Sequence, residues 1–237
     1  MTGPLLRTQA LCASYNDMPV LRGIDLTIAE GEIVALVGSN GAGKTTLLRA
    51  LSRLIGSTGQ IQFAGQQIEA LRPEQVFGLG LVQVPEGRQL FDRMTVHENL
   101  LMGAYRRTDK AGIDASLERV YALFPHLARR RGHRAGSMSG GEQQMCAVAR
   151  GLMASPKLLV VDEMSLGLAP VMVDLLREVL LEIRSQGVTV LLVEQDVSFA
   201  LQVADRGYVI EGGAVVREGS ASSLASDPQI RRAYFGL

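Results

Sequence analysis

The sequence predicts an α/β fold with a mainly parallel core sheet, an antiparallel β subdomain on its amino-terminal side and an inserted helical subdomain. Three observations carry this. Short Val-rich apolar runs at 33–37, 158–161 and 188–193, separated by helical patterns, read as strands buried on both faces. Residues 24–29 instead alternate apolar and polar in period two, the mark of a half-buried antiparallel strand. From about 95 to 154 the pattern is almost wholly helical.

The elements follow in order. Ile24, Leu26 and Ile28 alternate with Asp25, Thr27 and Ala29; the 33–37 run comes next, then a helix carrying Leu47, Leu48, Leu51 and Leu54. Residues 60–63 and 66–68 flank Ala64-Gly65 as a hairpin. In the helical stretch, Thr95 with Glu98 and Ser139 with Glu142 form capping boxes. Leu117, Val120, Tyr121 and Phe124 share one helix face there, and Met145, Val148, Ala149 and Leu152 share another. After the 158–161 run, Leu175, Leu176, Val179, Leu180 and Ile183 form an amphipathic helix that Gly187 ends, and the 188–193 run follows. A last hairpin joins 208–210 to 214–217 through Glu211-Gly212-Gly213. With no repeat or long linker, residues 1–237 read as one domain with a helical subdomain at about 95–154.

Composition narrows the function. The 237 residues are 47% hydrophobic, and 24 Lys+Arg balance 24 Asp+Glu. Such a chain can bury a sizeable core, which excludes a disordered protein or a disulfide-stapled miniprotein. Neutrality argues against nucleic acid as a partner. Cys12 and Cys146 lack ligand spacing, which argues against zinc or redox motifs and fits a reducing cytoplasm. The first ten residues lack a signal-peptide pattern and no apolar run nears the roughly 18 residues of a spanning helix, so work at a membrane would be peripheral. Arg129, Arg130, Arg131 and Arg134 read as a solvated basic loop.

Gly38-Ser39-Asn40-Gly41-Ala42-Gly43-Lys44-Thr45 fits GxxxxGK[ST] and directly follows the 33–37 strand. Glycines let backbone N–H groups turn in around a triphosphate, the helix amino terminus adds a favourable field, Lys44 supplies a cation and the Thr45 hydroxyl can ligate Mg²⁺. The 158–161 strand ends in Asp162-Glu163, and as a parallel neighbour of the 33–37 strand it would bring that pair beside the loop. Asp162 could hold the metal, and Glu163 could orient or deprotonate the water that attacks the γ-phosphate. The fold class is therefore that of a phosphate-loop NTPase, with ATP and Mg²⁺ as cofactors. A third element, Met138-Ser139-Gly140-Gly141-Glu142-Gln143-Gln144, opens a helix and forms a second anion site.

That third element resembles the LSGGQ signature of ATP-binding cassette (ABC) proteins, with Met138 for Leu and Glu142 for Gln. The resemblance implies two subunits packed head to tail, so that Ser139, Gly140 and Gly141 of one close on the γ-phosphate held by the other. It implies nucleotide contacts for Gly38 through Thr45 and the adjoining Thr46, and adenine stacking for Tyr15, which reads as lying in a polar loop at 13–19. Ser165-Leu166-Gly167-Leu168 stands where the family has its D-loop, matching in position only.

Two departures are informative. Glu86, within Val84-Pro85-Glu86-Gly87-Arg88, stands where the family usually has a Gln that touches magnesium; Gln83 and Gln89 are out of register. Gln195 stands where most members carry a His that contacts the γ-phosphate, and an amide can donate that bond without titrating. VPEGR, MSGGEQQ, SLGLAP and LVEQ together are similar to an ATP-binding subunit of branched-chain amino acid importers; urea and amide importers look much alike. The implied protein is an ATP-hydrolysing energy-coupling subunit, with Glu163 and Gln195 catalytic and Thr45, Glu86 and Asp162 at the metal. Its implied partners are a second ATP-binding subunit, identical or paralogous, integral permease subunits and, indirectly, a periplasmic or extracellular binding protein. It would sit peripherally on the cytoplasmic face of the membrane.

Overall fold

The computed structural model describes residues 3–234; the ends of the expected 1–237 unit, 1–2 and 235–237, lie outside the described residues. The chain opens with β1 (Leu6–Tyr15), β2 (Met18–Ile28), β3 (Ile33–Val37) and α1 (Lys44–Leu51). Then come β4 (Thr58–Phe63), β5 (Gln66–Gln67), α2 (Pro73–Gly78) and β6 (Leu81–Val84). Helices α3 (Val96–Gly103), α4 (Lys110–Leu123), α5 (Pro125–Arg129) and α6 (Gly140–Leu152) follow, with a 3-10 turn at Ala135–Ser137. The chain then alternates β7 (Leu158–Asp162), α7 (Pro170–Ser185), β8 (Thr189–Glu194) and α8 (Val197–Val203). It ends with β9 (Arg206–Glu211), β10 (Ala214–Ser220), α9 (Ala221–Ser226) and α10 (Pro228–Tyr234).

Six strands form one sheet in the order β10-β9-β3-β8-β7-β6, parallel except for the β9–β10 hairpin. Its central strands are buried on both faces, which explains their unbroken apolar runs. In β3, Ile33, Ala35 and Val37 face a core built with α6, α7 and α8, while Val34 and Leu36 face a second core. That second core is closed by Leu47, Leu48 and Leu51 of α1 and by the antiparallel sheet β2-β1-β4-β5. Both capping boxes form: the Thr95 N–H donates to Glu98 at 2.7 Å and the Ser139 N–H to Glu142 at 2.9 Å. Val120 and Phe124 are buried, as a shared face requires.

Three readings are corrected and one strand is added. Ala13–Tyr15 is not loop: β1 and β2 form a long hairpin that brings Tyr15 opposite Met18, leaving only Asn16 and Asp17 as the turn. Both take positive φ, 45° and 65°, which Asn and Asp tolerate. Helix α1 stops at Leu51, so Leu54 falls outside it and is 61% exposed. The strands β3 and β7 are not neighbours, because β8 lies between them. Strand β6 forms ahead of the helices, where the sequence pattern marks none.

Candidate nucleotide site

The phosphate loop is shaped by what packs beneath it. A Cβ at Gly38 would fall 2.3 Å from the carbonyl oxygen of Ile210, so β3 can pass this close to the end of β9 only as glycine. The β9–β10 turn then grips the loop: the Gly213 N–H donates to the Ala42 carbonyl at 2.9 Å, and the Gly213 carbonyl accepts from the Arg22 N–H at 2.8 Å. Gly213 has φ 82° and no room for a Cβ, which would meet the Val20 carbonyl oxygen at 1.8 Å. Sequence reasoning finds the turn but misses this support, which depends on β9 lying beside β3.

Lys44 opens α1 and is 4% exposed. Its Nζ donates to the carbonyls of Gly38 at 2.7 Å and Ser39 at 3.2 Å, and pairs with Glu163 Oε1 at 3.2 Å. Ser39, Asn40, Gly41 and Thr45 are exposed at the loop mouth, whereas Ala42, Gly43 and Thr46 are buried. Asn40, Gly41, Gly43, Lys44, Thr45, Thr46 and Glu163 line one cavity with Val20. Glu163 thus meets the loop from β7, across the intervening β8.

Asp162 ends β7 and is 4% exposed. Burial, then the charges of Glu163 and Glu86, push its carboxyl up to about 6, against the pull of Lys44 and Arg49. Thr45, Glu86 and Asp162 line a second cleft of ≈ 670 Å³ that adjoins the loop. Two acids beside a hydroxyl are a donor set that would suit a hard divalent cation. Among the described residues no group of three His, Cys, Asp or Glu side chains could hold a metal unaided. Gln83 is tied to the end of α1, accepting from Ser52 Oγ at 2.9 Å.

Gln195 is exposed between Glu194, the last residue of β8, and Asp196, which caps α8 by accepting from the Phe199 N–H at 3.0 Å. The Tyr15 hydroxyl accepts from Arg49 Nη1 at 3.3 Å, on the helix that follows the phosphate loop. Glu194 is 1% exposed and takes both the N–H and the hydroxyl of Ser165, at 3.0 and 2.7 Å. The sequence signal for Glu194 is an apolar strand run that ends in an acid.

Ser139, Gly140 and Gly141 open α6 away from all of this; none of them lines either cavity. Ser139 is exposed as the cap. Burial works against Glu142, but bonds from Ser139 and the nearby Arg130 hold its carboxyl below the ordinary value. A Cβ at Gly141 would press on Met172 of α7, and one at Gly140 on the Arg88 guanidinium.

A strand, a glycine loop and a helix-opening Lys44, facing adjacent acids at the end of a second parallel strand, define a phosphate-loop ATPase. Residues 21–165 match the family model described as ABC transporter, and the chain belongs to that family as an ATP-binding subunit of the BraG and LivG group. It is 44% identical over 94% of its length to the high-affinity branched-chain amino acid transport ATP-binding protein BraG of Pseudomonas aeruginosa, of which it covers 95%. The lipopolysaccharide export system ATP-binding protein LptB of Haemophilus influenzae is 30% identical, with 98% of this chain and 97% of LptB covered. Among solved structures, an ATP-binding cassette of an ABC transporter in its ADP conformation superposes with TM-score 0.88 at 25% identity, with 100% of both chains covered. The chain binds and hydrolyses ATP as the ATPase subunit of a transporter. Among the described residues no helix is long and apolar enough to cross a membrane.

Proposed function

We propose that this subunit powers an importer, with branched-chain amino acids as cargo. The observation that carries this is the 44% identity to BraG over nearly both full lengths, against 30% to LptB. The chain would act as one cassette, residues 1–237, with its helical subdomain at about 95–154. It would pair with a second ATP-binding subunit, identical or paralogous, and bind integral permease subunits from the cytoplasmic face; a binding protein would deliver cargo outside.

In this reading the loop amides of residues 38–46 cradle the phosphates, Lys44 neutralises the β- and γ-oxygens, and Tyr15 stacks on adenine. Mg²⁺, held by Thr45, Asp162 and Glu86, would draw charge from the same oxygens when bound. Water attacks the γ-phosphorus, the bond to the β-bridging oxygen breaks, and Glu163 takes the water proton. Gln195 donates a hydrogen bond to the γ-phosphate. Ser139, Gly140 and Gly141 serve the partner's nucleotide, a role supported by their placement outside both cavities of their own chain. The test is reconstitution with candidate permeases in vesicles, with ATPase stimulation by binding proteins loaded with leucine, isoleucine or valine. Stimulation by urea- or amide-loaded proteins instead, or by none, would overturn the cargo.

A further inference from the structure

Glu163 stands in a backbone conformation that needs support. Its φ is 45°, in the left-handed region that non-glycine residues seldom adopt, and a strained residue persists only where its flanks hold it. On one side the Glu163 N–H donates to the Val193 carbonyl of β8 at 2.8 Å. On the other, two residues on, Ser165 delivers its N–H to Glu194 Oε1 at 3.0 Å and its hydroxyl to Oε2 at 2.7 Å. The turn after β7 is thereby fastened at two points to consecutive residues of β8. That strand also pairs with β3 in a register that sets Glu194 opposite Val37, the last residue before the phosphate loop.

The anchor itself is an unusual choice for packing alone. Glu194 is 1% exposed, and among the described residues it has no ion-pair partner within 4 Å. Burying a carboxylate is costly unless donors satisfy it, and here the Ser165 backbone N–H and hydroxyl both donate to it, beside a backbone bond from Met164. Burial, with the Glu163 charge adding to it, pushes the Glu194 carboxyl up to about 7 in spite of those bonds.

We propose that Glu194 is a positioning residue for ATP hydrolysis: its carboxylate, gripped by Ser165, holds the turn on which Glu163 faces Lys44 and the phosphate loop. This rests on the role given to Glu163 above. The grip is geometric rather than charge-dependent, since an amide at 194 can accept the Ser165 N–H and donate to its hydroxyl. The expected pattern follows from that.

The test compares four variants of the full chain by ATP turnover, ATP affinity and thermal unfolding. Glu194→Ala should lower kcat by about 10–100-fold with ATP affinity within about twofold, because misplacing a reacting group by ~1 Å costs up to about that much. Ser165→Ala, which leaves Glu194 itself in place but removes its hydroxyl donor, should lower kcat by roughly tenfold on the same ground. Glu194→Gln should restore turnover to within about threefold of the parent, its reversed amide bond replacing the lost one. Glu163→Gln reports on the underlying assignment. Parent-like turnover in Ser165→Ala, or Glu194→Gln as slow as Glu194→Ala, overturns the positioning role while Glu163→Gln remains inactive. Turnover in Glu163→Gln overturns the assignment beneath it. Should Glu194→Ala fail to fold, Ser165→Ala and Glu194→Gln decide the matter.

Discussion

Lys44 and Glu163 form an ion pair at 3.2 Å with 4% and 12% of their side chains exposed, in the cavity of the phosphate loop. The cation that would meet the γ-phosphate is thus partnered by the carboxylate that would take the proton of the attacking water. In the proposed reading a triphosphate would compete with Glu163 for Lys44, freeing the carboxylate for the water. Lys44→Ala should weaken ATP binding by about 10–100-fold, the roughly 1.5–3 kcal/mol of a hydrogen bond to a charged group. Titration calorimetry measures it, and affinity within twofold of the parent would remove Lys44 from the site.

Glu163→Gln preserves shape and would lose the proposed base. It should bind ATP as the parent does while turnover falls by about 10²–10⁴-fold, the usual worth of a positioned proton acceptor. Dimers should then accumulate with ATP and disperse with ADP, which light scattering reads. Parent-like turnover would leave Glu163 as a structural partner of Lys44.

Ser139→Arg should abolish hydrolysis while leaving ATP affinity of the isolated subunit within about threefold, since in the proposed dimer Ser139 would add its contacts only when two subunits close. A fall in monomer affinity as steep as the fall in turnover would place Ser139 in its own chain's site.

What was legible in the sequence was legible for physical reasons. The strands β3, β7 and β8 are buried on both faces and so carry continuous apolar runs, and the phosphate loop announces itself by its spaced glycines followed by Lys44. The β1 strand escaped because its alternation breaks at Ala10, with φ 47°, and at register shifts near Leu11 and Ala13. Strand β6 has four residues with a polar Gln83 among them, too short for periodicity to register. The support of the loop by Gly213 and the grip of Ser165 on Glu194 depend on which strands lie side by side. No local pattern encodes that order.

Gly213 offers a sharp test of the loop's support. In Gly213→Ala the new methyl would lie 1.8 Å from the Val20 carbonyl at a φ of 82°, so the turn must move and its bond to the Ala42 carbonyl must lengthen. The expected loss is roughly 2–3 kcal/mol, or about 5–10 °C in Tm for a chain of this size. ATP affinity should fall as well. Gly212→Ala meets nothing within 4 Å and should cost roughly 1 kcal/mol with ATP affinity retained, making it the control. Equal effects from the two substitutions would remove the contact as the cause.

Glu194 also makes stability depend on pH. Its carboxyl ordinarily titrates at 4.5, whereas burial raises it to about 7 in the folded chain. Between these values the folded state keeps a proton that the unfolded state has released, so the native state binds more protons and stability falls as pH rises through the window. Glu194→Gln has no such proton to lose and keeps both partners on Ser165. Relative to the parent, the variant should therefore gain stability from pH 5 to pH 8, by up to about 3 kcal/mol at 1.36 kcal/mol per unit. Asp162 titrates in an overlapping range, raised to about 6 mainly by burial, and contributes equally to both proteins. Urea unfolding of the two at pH 5 and pH 8 isolates the Glu194 contribution. A stability difference that does not change with pH would mean that Glu194 ionises as freely in the folded chain as in the unfolded one, with Ser165 fully offsetting its burial.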